Sequence, residues 1–188
     1  MRKGTIPLFV HVGFVMLLSS LLYEISPASL AHCAPSPCET FGILRMKDKK
    51  EAPLFSLKGL DGNMTALNGL RGRPVLLFFW GSWCAACKED MPSLQKFADD
   101  KRDQLTVFTI AVDGEREKRV QKIVKDLKVN LPVLLVYKEK VLKDYSVNAI
   151  PMAILIDQEG FWIGKIVGQR DWSSAEAWSA LKELFGLR

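Results

Sequence analysis

The sequence predicts one α/β domain with a central mixed β-sheet and helices on both faces, behind an N-terminal leader. Three observations carry that reading. From Ala52 onward, short apolar runs of strand length alternate with stretches whose apolar residues recur at helical spacing, with no internal repeat or low-complexity segment. The run Val75-Leu76-Leu77-Phe78-Phe79-Trp80 is apolar at every position, as a central strand covered on both faces must be. A chain of 188 residues with 48% hydrophobic and 25% charged residues can bury such a core, and it excludes a disordered, collagen-like or multi-pass membrane protein.

Taken in order, Phe55 and Leu57, then Met64 to Leu67, bracket the turn residues Asp61-Gly62-Asn63 and predict an N-terminal β-hairpin. After the Val75–Trp80 strand, Leu94, Phe97 and Ala98 mark a helix that Pro92 should kink. Leu105 to Val112 reads as a second central strand. Val120, Ile123, Val124 and Leu127 form a single apolar stripe among charges, so that helix lies on the surface. Leu131 to Val136 gives a short strand, and a short helix falls within Lys138 to Tyr145. Met152 to Ile156 and Phe161 to Val167 then join through Asp157-Gln158-Glu159-Gly160 as an antiparallel hairpin. Ser173 and Glu176 predict a capping box for a terminal helix that buries Trp178, Leu181, Leu184 and Phe185.

Upstream of the domain, Arg2 and Lys3 precede an apolar run from Ile6 to Tyr23, and Ser29 and Ala31 stand in the −3 and −1 relation of a signal-peptidase site. Residues 1–31 are thus expected to be a signal peptide cleaved after Ala31 or a retained membrane anchor. A third outcome is lipidation of Cys33, since Leu30-Ala31-His32-Cys33 resembles a lipoprotein box, with His32 where a small residue is expected. All three place the body outside the cytoplasm, in a bacterium the periplasm or the outer face of the membrane, where disulfides persist. Residues 32–51 are rich in proline and charge and are expected to be a tether before a domain spanning 52–188. Within it, a local Cys33–Cys38 disulfide is the plainest expectation, because a metal pair has no third or fourth ligand nearby.

Charge and histidine content narrow the chemistry. The formal net charge of +5 is spread without a basic block, so nucleic acid is not an expected partner. His11 and His32 are the only histidines and both precede the domain, which therefore lacks an imidazole for a catalytic triad or a His-ligated metal. No metal and no cofactor are expected.

The reactive chemistry is read from Gly81-Ser82-Trp83-Cys84-Ala85-Ala86-Cys87-Lys88-Glu89-Asp90, placed where the first buried strand passes into a helix. A C-x-x-C on the first helical turn brings two sulfurs within bonding reach and sets the first beside the positive end of the helix dipole and its free N–H groups. Both effects favour a thiolate at Cys84. Cys87, one turn further in, is shielded and suited to resolving a mixed disulfide. A zinc knuckle would need a second pair, and a stapling disulfide over so small a loop would contribute little stability. Trp80 and Trp83 border this segment, where packing and substrate contact are both open to them.

Phe79-Trp80-Gly81-Ser82-Trp83-Cys84-Ala85-Ala86-Cys87 resembles the active-site segment of the thioredoxin superfamily, and Ile150-Pro151 ahead of an apolar strand resembles that fold's cis-proline loop. Ala52-Pro53-Leu54-Phe55-Ser56-Leu57, the Leu60-Asp61-Gly62 turn and Leu70-Arg71-Gly72-Arg73-Pro74 are similar to the extension of the TlpA/ResA-like extracytoplasmic thiol-disulfide oxidoreductases. The resemblance covers the chain from about Ala52 to its end. It implies a thioredoxin-like fold, a redox-active Cys84–Cys87 pair, and a cis Pro151 that faces the dithiol; Ile150 is expected to line the same substrate groove, with Trp83 a candidate substrate contact. It also implies a disulfide-containing protein substrate, a membrane electron-transfer protein as reductant and, in some relatives, a role in cytochrome c maturation.

Two departures qualify the resemblance. Thioredoxin keeps a buried acid in the central strand, and the matching position here is Phe78. The ResA-like branch instead carries an acid three residues after the second cysteine, here Asp90, which an i, i+3 helical relation sets beside Cys87 for proton transfer. Glu89 points about a hundred degrees away on the helix, which makes it the weaker candidate. Ala85-Ala86 lacks the proline or charge common between such cysteines. Two alternatives share the fold: a thiol peroxidase of the peroxiredoxin type, whose Pro-x-x-x-Thr-x-x-Cys setting is absent, and a Sco-like copper chaperone, which needs a histidine downstream of the cysteine pair.

Overall fold

The computed structural model describes residues 35–187; the expectations for residues 1–31 and for Cys33 lie outside them. The described chain forms an eight-stranded sheet in the order β1-β8-β7-β4-β5-β6-β2-β3. In sequence the elements are α1 (Pro37–Thr40), β1 (Leu44–Glu51), β2 (Ser56–Gly59), β3 (Met64–Ala66), β4 (Val75–Trp80), α2 (Ala85–Asp100) and β5 (Thr106–Ala111). They continue as α3 (Glu117–Asp126), β6 (Val133–Leu135), α4 (Val141–Asp144), β7 (Met152–Ile156), β8 (Phe161–Val167) and α5 (Ala175–Phe185). The central strands are parallel between β4, β5 and β6 and antiparallel between β4, β7 and β8, so the sheet is mixed as expected.

The all-apolar character of β4 follows from its two neighbours. Leu76, Phe78 and Trp80 point into the core under α2, α3 and α5, while Val75, Leu77 and Phe79 point into the opposite core with Leu57, Tyr145 and Trp162. On the first side, Cys87, Met91, Leu94, Phe97 and Ala98 supply the buried stripe of α2. That helix runs unbroken through Pro92 from Ala85 to Asp100. Pro92 is the eighth of its sixteen residues and takes away the N–H that would bond the Lys88 carbonyl, a loss the continuous helix absorbs under its buried stripe.

Two expectations are corrected. Residues 32–51 are not all tether: the compact unit begins at Pro35, and Leu44–Glu51 form β1, paired antiparallel with β8. The charges of Lys47-Asp48-Lys49-Lys50-Glu51 are those of an edge strand, where ladder bonds hold one side and solvent takes the side chains. Second, the cap of α5 is Ser174, whose Oγ accepts from the Ala177 N–H, while Ser173 is engaged by Asp171. The predicted β2–β3 hairpin forms, and β2 also pairs with β6, so that it extends the same sheet.

Candidate active site

Parallel pairing of β4 with β5, with Trp80 opposite Ala111, brings the C-terminal ends of both strands to one edge of the sheet. Two loops leave there: Gly81-Ser82-Trp83 toward α2, and Val112-Asp113-Gly114 toward a 3-10 turn at Gly114–Arg116. Cys84 is the N-cap of α2, and its Sγ accepts from the Cys87 N–H at 3.1 Å. Cys84 and Cys87 are joined in a disulfide with their Cα atoms 5.3 Å apart. Cys84 is partly exposed and Cys87 is 0% exposed. The first sulfur is thus open to a substrate and lies at the positive end of a sixteen-residue helix, while the second is sealed behind it.

A clasp that the sequence reading missed fixes the approach to this turn. Ser82 is fully buried; its N–H donates to Asp113 Oδ1 at 3.2 Å and its hydroxyl to Asp113 Oδ2 at 2.6 Å. Asp113 in turn accepts through its carbonyl from the Arg116 N–H at 2.8 Å, tying the dithiol loop to the 3-10 turn. Gly114 completes the arrangement: its N–H donates to Val136 O, and a Cβ there would stand 2.6 Å from the same carbonyl, so only glycine fits. In sequence, Asp113-Gly114 reads as an ordinary turn pair. The signal lay in its place directly after a central parallel strand, whose register, with Trp80 opposite Ala111, puts Asp113 level with Ser82.

Facing the dithiol loop is the segment before β7, where the Ile150–Pro151 peptide is cis as the resemblance implied. Ile150 Cδ1 and the Trp83 ring both crowd Gly81, at 3.1 and 3.2 Å from the position its Cβ would take. Ile150, Trp83 and the dithiol loop therefore share one surface. Trp83 is 51% exposed, and the Arg116 guanidinium lies 5.9 Å from its ring centroid. Trp80, by contrast, is wholly buried and packs in the core.

Asp90 is 2% exposed, three residues along α2 from Cys87. Its Oδ2 accepts from the Arg170 N–H at 3.3 Å. Burial raises its pKa to about 6, against the opposing pull of that backbone N–H and of the Arg170 charge. Glu89 turns outward and accepts from the Gln169 side chain. At Phe78 the ring is buried and meets Trp172 edge-on at 6.4 Å, so the strand position that holds an acid in thioredoxin is apolar here.

Cys38 stands apart from this site. It is a buried thiol on α1, with Sγ 3.3 Å from the Ala180 carbonyl and accepting from Arg45; the expected Cys33–Cys38 disulfide involves Cys33 and lies outside the described residues. Burial pushes its thiol pKa up, so it is a packing residue and a poor nucleophile.

The model of the AhpC/TSA family matches residues 49–162. The thiol-disulfide oxidoreductase ResA of Bacillus cereus is 35% identical over 127 residues, covering 67% of this chain and 73% of that one. The structure of an exposed lipoprotein thioredoxin from Streptococcus pneumoniae is 31% identical, with a TM-score of 0.62 over 70% of this chain and 99% of that one. A DsbE thiol:disulfide interchange protein from Chlorobium tepidum shares the fold at a TM-score of 0.67 and 23% identity, over 75% of this chain and 99% of that one.

Proposed function

The chain belongs to the TlpA/ResA-like thiol-disulfide oxidoreductases of the thioredoxin superfamily, within the AhpC/TSA family, and from that membership we propose that it reduces protein disulfides outside the cytoplasm. The observation that carries the proposal is the asymmetry of the pair: Cys84 is open at a helix N-terminus and Cys87 is sealed one turn behind it. The Cys84 thiolate attacks one sulfur of a substrate disulfide and releases the other as a thiolate. Cys87 then gives up its proton, attacks Cys84 Sγ and frees the second substrate thiol. Two electrons have passed to the substrate, and Cys84–Cys87 is left oxidised, the state seen here.

In this scheme Asp90 receives the Cys87 proton. Support comes from its burial and from a pKa of about 6, which places it between carboxylate and thiol values and lets the proton move either way near neutrality. Trp83, Ile150 and Pro151 form the surface against which an extended substrate segment lies. A membrane electron-transfer protein would restore the dithiol. Export is supported by the Arg2-Lys3 leader with its apolar run, and by the name of the pneumococcal relative, an exposed lipoprotein. The family resemblance implies, as one candidate substrate, the oxidised haem-attachment cysteines of c-type cytochromes.

The AhpC/TSA match favours a second reading, a thiol peroxidase. Against it, the positions seven and three residues before Cys84 are Leu77 and Gly81, where the peroxiredoxin setting has proline and threonine. Turnover assays with dithiothreitol as electron source separate the two. Reduction of a disulfide-bonded protein should be catalysed, with hydrogen peroxide consumed no faster than by a free thiol. Rapid peroxide consumption without disulfide reduction would transfer the assignment to the peroxidase.

A further inference from the structure

Arg116 stands beside the dithiol loop, and the redox scheme gives it no role. Its side chain is exposed, makes no ion pair with any described residue, and is held over the face of Trp83 next to Cys84. At 5.9 Å from the ring centroid it is within cation–π range, which orients the guanidinium without neutralising it. Its backbone is fixed as well: the Arg116 N–H is bonded to the Asp113 carbonyl, and the Asp113 carboxylate grips Ser82, two residues before Cys84. One buried acid thus sets both the nucleophile's loop and the cation beside it. A free arginine would wander over many rotamers, whereas this one is pre-placed and loses less freedom on engaging a partner.

We infer that Arg116, stacked on Trp83, is a specificity-determining residue that selects substrates with a carboxylate beside the disulfide to be reduced. The inference rests on the disulfide reductase reading above and names the class of segment that site takes. An extended segment lying along Trp83 and Ile150 with its sulfur at Cys84 passes the guanidinium, whose planar fork suits a carboxylate. A lysine or arginine at the same substrate position meets like charge. Because the pair is solvent-exposed, the preference should be modest and should shrink with salt.

The test uses three disulfide peptides of one sequence, differing only in an aspartate, glutamine or lysine adjacent to one cysteine, reduced by the full-length protein. The wild type should reduce the aspartate peptide about threefold to fivefold faster than the lysine peptide at low ionic strength, and the ratio should fall toward one as ionic strength approaches about 1 M. Arg116→Glu should invert the order, and Arg116→Gln should flatten it. Arg73→Glu makes the same charge change as Arg116→Glu but at the entry to β4, the end remote from the dithiol, and should retain the wild-type order. Equal rates for the aspartate and lysine peptides with the wild type, or an order that survives Arg116→Glu, would overturn the inference. Failure to reduce even the glutamine peptide would instead remove the reductase reading on which it rests.

Discussion

Replacing Cys84 by serine should lower disulfide reduction to below about 1% of wild type, because the hydroxyl that remains is neither ionised nor able to form a mixed disulfide. Replacing Cys87 by serine should halt turnover at a different point. Cys84 then still attacks, but nothing resolves the product, and the substrate accumulates as a covalent adduct visible on a non-reducing gel. In the reduced wild-type protein, iodoacetamide should modify Cys84 at least about tenfold faster than Cys87, since one is partly exposed at the α2 N-terminus and the other is fully enclosed. Mass spectrometry of partly alkylated protein reads this directly. Preferential labelling of Cys87, or adducts with Cys84→Ser in place of Cys87→Ser, would exchange the two roles.

Asp90→Asn should slow release from the mixed disulfide and leave the alkylation rate of Cys84 largely as it was. The effect should depend on pH, because a group titrating near 6 matters most where its charge state changes. Stability gives an independent readout with a definite sign. Burial raises the folded-state pKa from 3.8 to about 6, so folding favours the protonated acid. The resulting stabilisation is fully present below pH 3.8 and is lost as pH rises through about 6. Wild type should therefore lose on the order of 2–3 kcal/mol between those limits from this group alone. In Asp90→Asn that slope should be largely absent, measured by urea denaturation at pH 4 and pH 8. A variant that matches wild type in release rate from pH 5 to 9 would leave Asp90 without a role in proton transfer.

How far the fold was legible follows from particular segments. Val75–Trp80 and Met152–Ile156 fall where their apolar runs predict them, because strands covered by core have little freedom in residue choice, and Phe161–Val167 falls where predicted with buried and half-buried positions alternating. Leu44–Glu51 was hidden for the opposite reason: an edge strand held by backbone bonds can carry almost any charged side chain, so its composition is that of a linker. The cap of α5 slipped by one residue because Ser173 and Ser174 are chemically equivalent, and only Asp171 decides which of them is free to cap. At the site, the placement of the dithiol, of Asp90 and of Ile150-Pro151 was readable, because two are short local motifs and the third recurs in a related family; their roles are the proposals above. The Ser82–Asp113 clasp was not, since it joins residues 31 apart whose meeting depends on the parallel register of β4 and β5. Arg116 was hidden for the same reason, as its position over Trp83 depends on that clasp.

The direction of electron flow is the centre of the account, and the reduction potential of the Cys84–Cys87 pair measures it most directly. Equilibration of the full-length protein against defined ratios of reduced and oxidised dithiothreitol, quantified by thiol alkylation, should give a value near or below thioredoxin's, roughly −270 mV, as a donor to protein disulfides requires. A value near DsbA's, roughly −120 mV, would make the pair an oxidant and contradict the proposal.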